Sequence, residues 1–139
     1  MAQAMESTGV PYIISFTIQK NGKLIDGTTI SDAIAYIDGS VHMKPVCYMT
    51  NCVHPSIVYD ALLKPFNKNE LVNNRFLGIQ ANTSPLPYEQ LDGAMALKYS
   101  EPELLAEEMI KLRDISNIKI IGGCCGTDGR HMEQIACRL

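Results

Sequence analysis

Apolar positions recur along the chain in two alternating rhythms. Four short runs, at residues 11–18, 45–50, 75–81 and 117–121, are rich in apolar and β-branched residues, and the stretches behind them carry apolar residues three and four positions apart. The first run opens Pro11-Tyr12-Ile13-Ile14, as a strand covered on both faces does. After a turn at Asn21-Gly22, Ile30, Ala33, Ile34 and Ile37 share a helical face, with Thr or Ser to cap it and Gly39 expected to stop it. The second run leads into Asn51-Cys52-Val53-His54-Pro55. A helix is expected from about Ser56, with Ile57, Val58, Ala61 and Leu62 inward and Pro65 ending it. The third run is followed by a loop at 82–87. Ser100 and Glu103 have capping-box spacing ahead of a stripe of Leu105, Met109 and Leu112. The fourth run meets Gly122-Gly123-Cys124-Cys125-Gly126-Thr127, and a last helix is expected over 131–139, with Met132, Ile135, Ala136 and Leu139 on one face. Residues 2–8 read as the final two turns of a helix that Gly9 ends, so the chain is expected to begin inside a βα unit.

Ile13 to Val46 is 33 positions, Val46 to Phe76 is 30, and Phe76 to Ile118 is 42. These are βα-unit lengths, and strict alternation predicts an α/β fold with a parallel sheet and right-handed crossovers. Spacing alone leaves two architectures open, a doubly wound sheet and a (βα) barrel.

Composition narrows the classes. The chain has 139 residues, 46% hydrophobic and 19% charged, with net charge −3, which makes it one domain or part of one and excludes disordered, collagen-like and coiled-coil readings. No run of like charge exceeds Glu107-Glu108, so neither nucleic acid nor an anionic membrane surface is an expected partner. No apolar stretch approaches the roughly 20 residues that span a bilayer, and the opening residues have neither a basic nor an apolar leader segment; a cytoplasmic location is expected. Five cysteines, an odd number, argue for reduced thiols that are buried, catalytic or metal-bound rather than for a disulfide framework.

Cys52 falls just past the second run, and Cys124 and Cys125 just past the fourth. Loops at the carboxyl ends of parallel strands share one end of the sheet, so the three sulfurs can converge. Neighbouring strand residues point to opposite faces, so a vicinal pair can serve one ion only where the backbone turns. Gly122, Gly123 and Gly126 supply that freedom. Three thiolates are a zinc ligand set that leaves a fourth position open. The competing reading is three buried thiols, and Cys47 and Cys137 are read that way. A phosphate cradle at 122–127 is a third reading, weakened by the missing Lys; Walker, dinucleotide and Cys-x-x-Cys spacings are all absent. His54 is a candidate fourth ligand that Pro55 is expected to swing away. His131, in the first turn of the last helix, is read as a supporting or capping group. His42 is read as solvated, and Glu107 and Glu108 as a solvated helix face.

Asn51-Cys52 after a strand, then Ile120-Ile121-Gly122-Gly123-Cys124-Cys125-Gly126-Thr127 with a His soon after, resembles the homocysteine S-methyltransferase family, which includes the betaine-homocysteine and S-methylmethionine-homocysteine enzymes. Ser15-Phe16, and residues 22–27 with Leu24-Ile25-Asp26-Gly27, also resemble that family. The Asn51-Cys52-Val53-His54-Pro55 and Gly78-Ile79-Gln80-Ala81-Asn82 variants are similar to its stand-alone bacterial members. The resemblance implies a (βα)8 TIM barrel of which residues 1–139 form the C-terminal half, strands five to eight, with the N-terminal half absent. It implies one zinc ion on Cys52, Cys124 and Cys125, with Asn51, the backbone of Gly123 and Gly126, and His131 behind them. The implied reaction is zinc-dependent methyl transfer from a donor of the S-methylmethionine, S-adenosylmethionine or betaine kind to the thiol of homocysteine, giving methionine. The alternative is a non-catalytic zinc-binding half-barrel that assembles with itself or with a separately encoded N-terminal half.

Overall fold

The computed structural model describes residues 1–86 and 100–138. In chain order it forms α1 (Ala2–Glu6), β1 (Ile14–Phe16), α2 (Ile30–Ser40), β2 (Tyr48–Val53), α3 (Pro55–Leu62), α4 (Glu70–Arg75), β3 (Phe76–Ala81), α5 (Pro102–Ile115), β4 (Ile120–Gly123) and α6 (Gly129–Ala136). The strands make one parallel sheet in the order β1-β2-β3-β4. Each strand lies beside its successor and the order never reverses, so the carboxyl ends of β2, β3 and β4 lie side by side. Among the described residues no helix is long and apolar enough to cross a membrane.

The core forms where the helices meet the sheet. Ile14 and Phe16 of β1, Tyr48 of β2, Phe76 and Ile79 of β3, Ile30 and Ile34 of α2, Val58 of α3, and Leu105, Met109 and Leu112 of α5 belong to one buried cluster. Each of the larger side chains contributes about 1.5–3 kcal/mol by leaving water. At the amino end of β2, Tyr48 stacks on Phe16 with ring centroids 5.4 Å apart. The Tyr48 hydroxyl donates to Asp38, whose carboxylate also pairs with Arg75 at 2.9 Å. That cluster ties α2 and α4 to β2 and leaves the other end of the sheet to the cysteines.

Several element boundaries differ from the expected ones, each for a local reason. β1 keeps only three residues of the run at 11–18, because Ile18 bridges antiparallel to Leu24 and closes the turn around Gly22. Gly39 does not stop α2; its backbone φ is not positive and the helix continues until Val41 turns extended. α3 starts at Pro55, with His54 as its cap. α4 escapes the periodicity reading because six residues are too few to show a stripe, yet Asn69 caps it by accepting from the Val72 N–H. The capping box at Ser100 and Glu103 does not form: Pro102 occupies the first turn of α5, Glu101 precedes it, and the Ser100 hydroxyl donates instead to the Thr83 carbonyl at 2.9 Å. α6 begins two residues early, capped by Asp128, and leaves Ala136 exposed. Pro87 of the expected loop and Leu139 of the expected last helical face lie outside the described residues.

β2 and β4 both run further than expected, and this shift bears on the site. Asn51, Cys52 and Val53 belong to β2, and Gly122 and Gly123 pair with Gln80 and Ala81 of β3. Pairing with β3 continues to Ala81, so the sheet carries the cysteine segments to its edge as backbone-bonded structure.

Candidate metal centre

Cys52 is the one described residue other than glycine with positive φ, at 56°. The β2–β3 register slips between Asn51 and Val53, so Cys52 is an extra residue without a partner across the ladder. Such a bulge re-aims a side chain at the end of a strand. A left-handed conformation costs a residue with a Cβ about 1–2 kcal/mol, so surrounding bonds must hold it. The Asn82 N–H, donating to the Val53 carbonyl at 3.2 Å, is one of them.

The second cysteine segment turns immediately after β4. The Cys124 N–H donates to the Ala81 carbonyl at 2.8 Å, and the Cys124 carbonyl accepts from the Thr127 N–H at 3.2 Å and from its hydroxyl at 2.7 Å. Gly126, third in this four-residue turn, has φ +81°, the conformation a type II turn demands there. The expected freedom of Gly122 and Gly123 is not what bends the chain, since neither has positive φ. Gly123 matters for space: a Cβ there would sit 2.7 Å from Thr127 Cβ and 3.0 Å from Met132 Cε.

The two segments bring the sulfurs of Cys52, Cys124 and Cys125 within 4.8 Å of one another. Cys52 Sγ lies 3.3 Å from Cys125 Sγ, which is 3.9 Å from Cys124 Sγ. The Asn82 amide donates to Cys52 Sγ at 3.6 Å while its Oδ1 accepts from the Ser84 N–H. Burial pushes the Cys52 thiol up, but hydrogen bonds from the Cys125 and Cys124 thiols, the Cys125 N–H and Asn82 together outweigh it, and its pKa falls below the ordinary thiol value. Cys125 moves the other way, to about 11, because its contacts with the Cys52 and Cys124 sulfurs, and their charge when ionised, favour its neutral form. The cluster thus favours one thiolate stabilised by neighbouring donors, and three sulfurs converging at a partly open sheet end can hold a metal ion.

The other candidates have distinct places. Asn51 Oδ1 accepts from the Ser15 hydroxyl at 2.6 Å, joining β2 to β1. His131 is fully buried; its Nδ1 completes a capping box with Asp128, and its Nε2 lies 3.0 Å from the Ser100 carbonyl. His54 does not join the sulfurs: its Nδ1 caps α3 through Ser56, and burial lowers its pKa. His42 is exposed, and Glu108 pairs with Lys111 on the surface of α5. Cys47 is buried as expected, whereas Cys137 is exposed, because α6 ends there and turns its last residues outward. Asn82 is a site residue that residue-by-residue reading passed over. Its signal was positional: an amide directly after the third strand, at the end where Cys52 and Cys124 also emerge.

A family model described as homocysteine S-methyltransferase matches residues 1–139, the whole chain.

Proposed function

The chain belongs to the homocysteine S-methyltransferase family, and on that premise we propose that it carries the thiol-binding half of an enzyme that methylates the sulfur of homocysteine to give methionine, with zinc on Cys52, Cys124 and Cys125. The observation that carries this reading is the approach of three sulfurs from two separate strand ends to within 4.8 Å. The spacing suits the ion. A tetrahedral site with metal–sulfur bonds of about 2.3 Å places its sulfurs about 3.8 Å apart, close to the 3.3 and 3.9 Å observed. When bound, zinc supplies an open position for the substrate sulfur and lowers the pKa of that thiol.

The protein's own groups do the rest. The bulge at Cys52 and the turn at 124–127 set the sulfur spacing, and Asn82 gives an N–H to Cys52 that stabilises negative charge there. In the transfer, the homocysteine sulfur forms a bond to the methyl carbon as the bond from that carbon to the donor heteroatom breaks. The electron pair leaves with the donor, and the thiol proton has already gone to solvent. A sulfonium or quaternary ammonium donor, of the S-methylmethionine, S-adenosylmethionine or betaine kind, leaves as a neutral group, so positioning rather than acid catalysis is what the site must provide. The unreversed strand order supports placing residues 1–139 as the C-terminal half of a (βα)8 barrel, and reduced thiols suit a cytoplasmic setting.

A second reading is favoured by the sheet edges. Among the described residues β1 and β4 each pair with a single strand, and open parallel edges are templates for association. On that reading the chain is a zinc-binding module that assembles with a second copy or with a separate N-terminal half. Metal analysis tests the site: one zinc per chain is expected, and full occupancy in a Cys125→Ser variant refutes it. Methyl transfer from each donor class to homocysteine by the chain alone separates the readings, since turnover excludes the non-catalytic one, and light scattering reports any assembly.

A further inference from the structure

The three thiols stand on two segments, and the loop after β3 is the strut between them. Asn82 donates its N–H to the Val53 carbonyl beside Cys52, and Thr83 donates its N–H to the Cys125 carbonyl, both at 3.2 Å. These two consecutive residues are 3% and 0% exposed. A strut holds a distance only if it is itself held from behind. The Ser100 hydroxyl donates to the Thr83 carbonyl at 2.9 Å, and the Ser100 carbonyl faces His131 Nε2 at 3.0 Å. A carbonyl can only accept, so Nε2 carries a hydrogen, while Nδ1 is engaged by Asp128 at the start of α6.

We infer that His131 is a positioning residue for the thiol cluster, acting through Ser100 and Thr83 on the backbone of Cys125. The inference rests on the metal-site reading above. The relay runs from the first turn of α6 to the carbonyl of a sulfur-bearing residue without touching any sulfur. Its loss shifts the turn at 124–127 relative to the bulge at Cys52, and metal affinity is sensitive to such shifts. Removal of groups that orient metal ligands typically costs 10–100-fold in affinity.

The test is cobalt(II) titration of the full chain against a competing chelator, with thiolate-to-metal and ligand-field bands recorded, and the urea midpoint of each metal-free protein measured alongside. The variants are His131→Leu, which removes the donor; His131→Gln, whose amide N–H can donate where Nε2 does; and Ser100→Ala, which breaks the relay while leaving α6 and its cap untouched. The expected result is one cobalt per wild-type chain, a 10–100-fold affinity loss with altered bands in Ser100→Ala and His131→Leu, and recovery of most of that affinity in His131→Gln. A Ser100→Ala midpoint near wild type is expected with the affinity loss, and this variant carries the test if His131→Leu fails to fold. Wild-type affinity and bands in Ser100→Ala overturn the inference and leave the metal site standing. An affinity loss that only follows a lowered midpoint, with unchanged bands, overturns it too. A wild-type chain that binds no cobalt overturns the metal-site reading and the inference with it.

Discussion

Cys52 Sγ and Cys125 Sγ lie 3.3 Å apart although 73 positions separate the residues, and the approach depends on Cys52 holding φ at 56°. The strain and the thiol can be separated by substitution. Cys52→Ala and Cys52→Gly both delete the sulfur, but only alanine keeps a Cβ in the left-handed conformation. Cys52→Gly is therefore expected to be the more stable of the two by about 1 kcal/mol, with metal binding abolished in both. Urea denaturation of the metal-free variants checks this; equal midpoints mean that the bulge relaxes at no cost.

The opposite shifts of Cys52 and Cys125 predict how the metal-free cluster titrates. The pKa of Cys52 is lowered and that of Cys125 raised to about 11, the same thiol–thiol contacts driving both. Thiolate absorbance is expected to rise first below the ordinary thiol range and last near pH 11, with the steps belonging to the cluster rather than to single residues. Cys125→Ser removes the thiol and is expected to delete the step near pH 11. A single transition at the ordinary thiol pKa in the wild type contradicts the contact.

Much of the fold was legible because burial acts through periodicity. Leu105, Met109 and Leu112 are the buried stripe of α5, and Ile30, Ala33 and Ile34 that of α2, as spacing at three and four positions requires. The cysteines were legible as a trio because strand ends in a parallel sheet share one side. What sequence did not show were the effects of pairing between distant segments. The bulge at Cys52 exists because β3 stays in register with β2 from Met49 to Asn51 and resumes at Val53, and no local signal at residue 52 carries that. Asn82 and Ser100 were hidden likewise, since their partners lie 30 and 17 positions away. Ser100 even carried a misleading local signal, a capping spacing that Pro102 overrode.

His54 makes stability depend on pH in a way that one substitution isolates. Its side chain is 7% exposed, and burial lowers its pKa below the ordinary value of 6.5. Above pH 6.5 both folded and unfolded chains hold it neutral, and its stabilising contribution is complete. As pH falls below 6.5 the unfolded chain takes up a proton that the folded one resists, so stability is lost progressively toward the folded pKa. Asparagine also caps helices, so His54→Asn is expected to keep α3 while losing less stability than wild type between pH 7 and pH 5. Glu6 and Asp128, whose pKa values are also lowered, destabilise both proteins alike as pH falls, and the difference between the two slopes reads His54. Parallel slopes in urea midpoints at the two pH values rule out a buried neutral ring.

Gly123 couples the sheet to the sulfur-bearing turn through a lack of volume. A Cβ at that position meets Thr127 Cβ at 2.7 Å and Met132 Cε at 3.0 Å. Met132 Cε is the end of a flexible side chain and can move aside. Thr127 cannot move without breaking its two bonds to the Cys124 carbonyl, from N–H and from hydroxyl. Gly123→Ala is therefore expected to cost about 1–3 kcal/mol through overpacking and to weaken metal binding as well, because the turn that yields carries Cys124 and Cys125. Gly39→Ala serves as the control, since a Cβ there meets nothing within 4 Å; inside α2 it is expected to stabilise by up to about 1 kcal/mol and to leave metal binding unchanged. Urea midpoints and cobalt affinities of the two variants decide the matter: a Gly123→Ala protein with wild-type affinity means that Thr127 yields without moving the sulfurs and that the turn does not depend on the missing side chain.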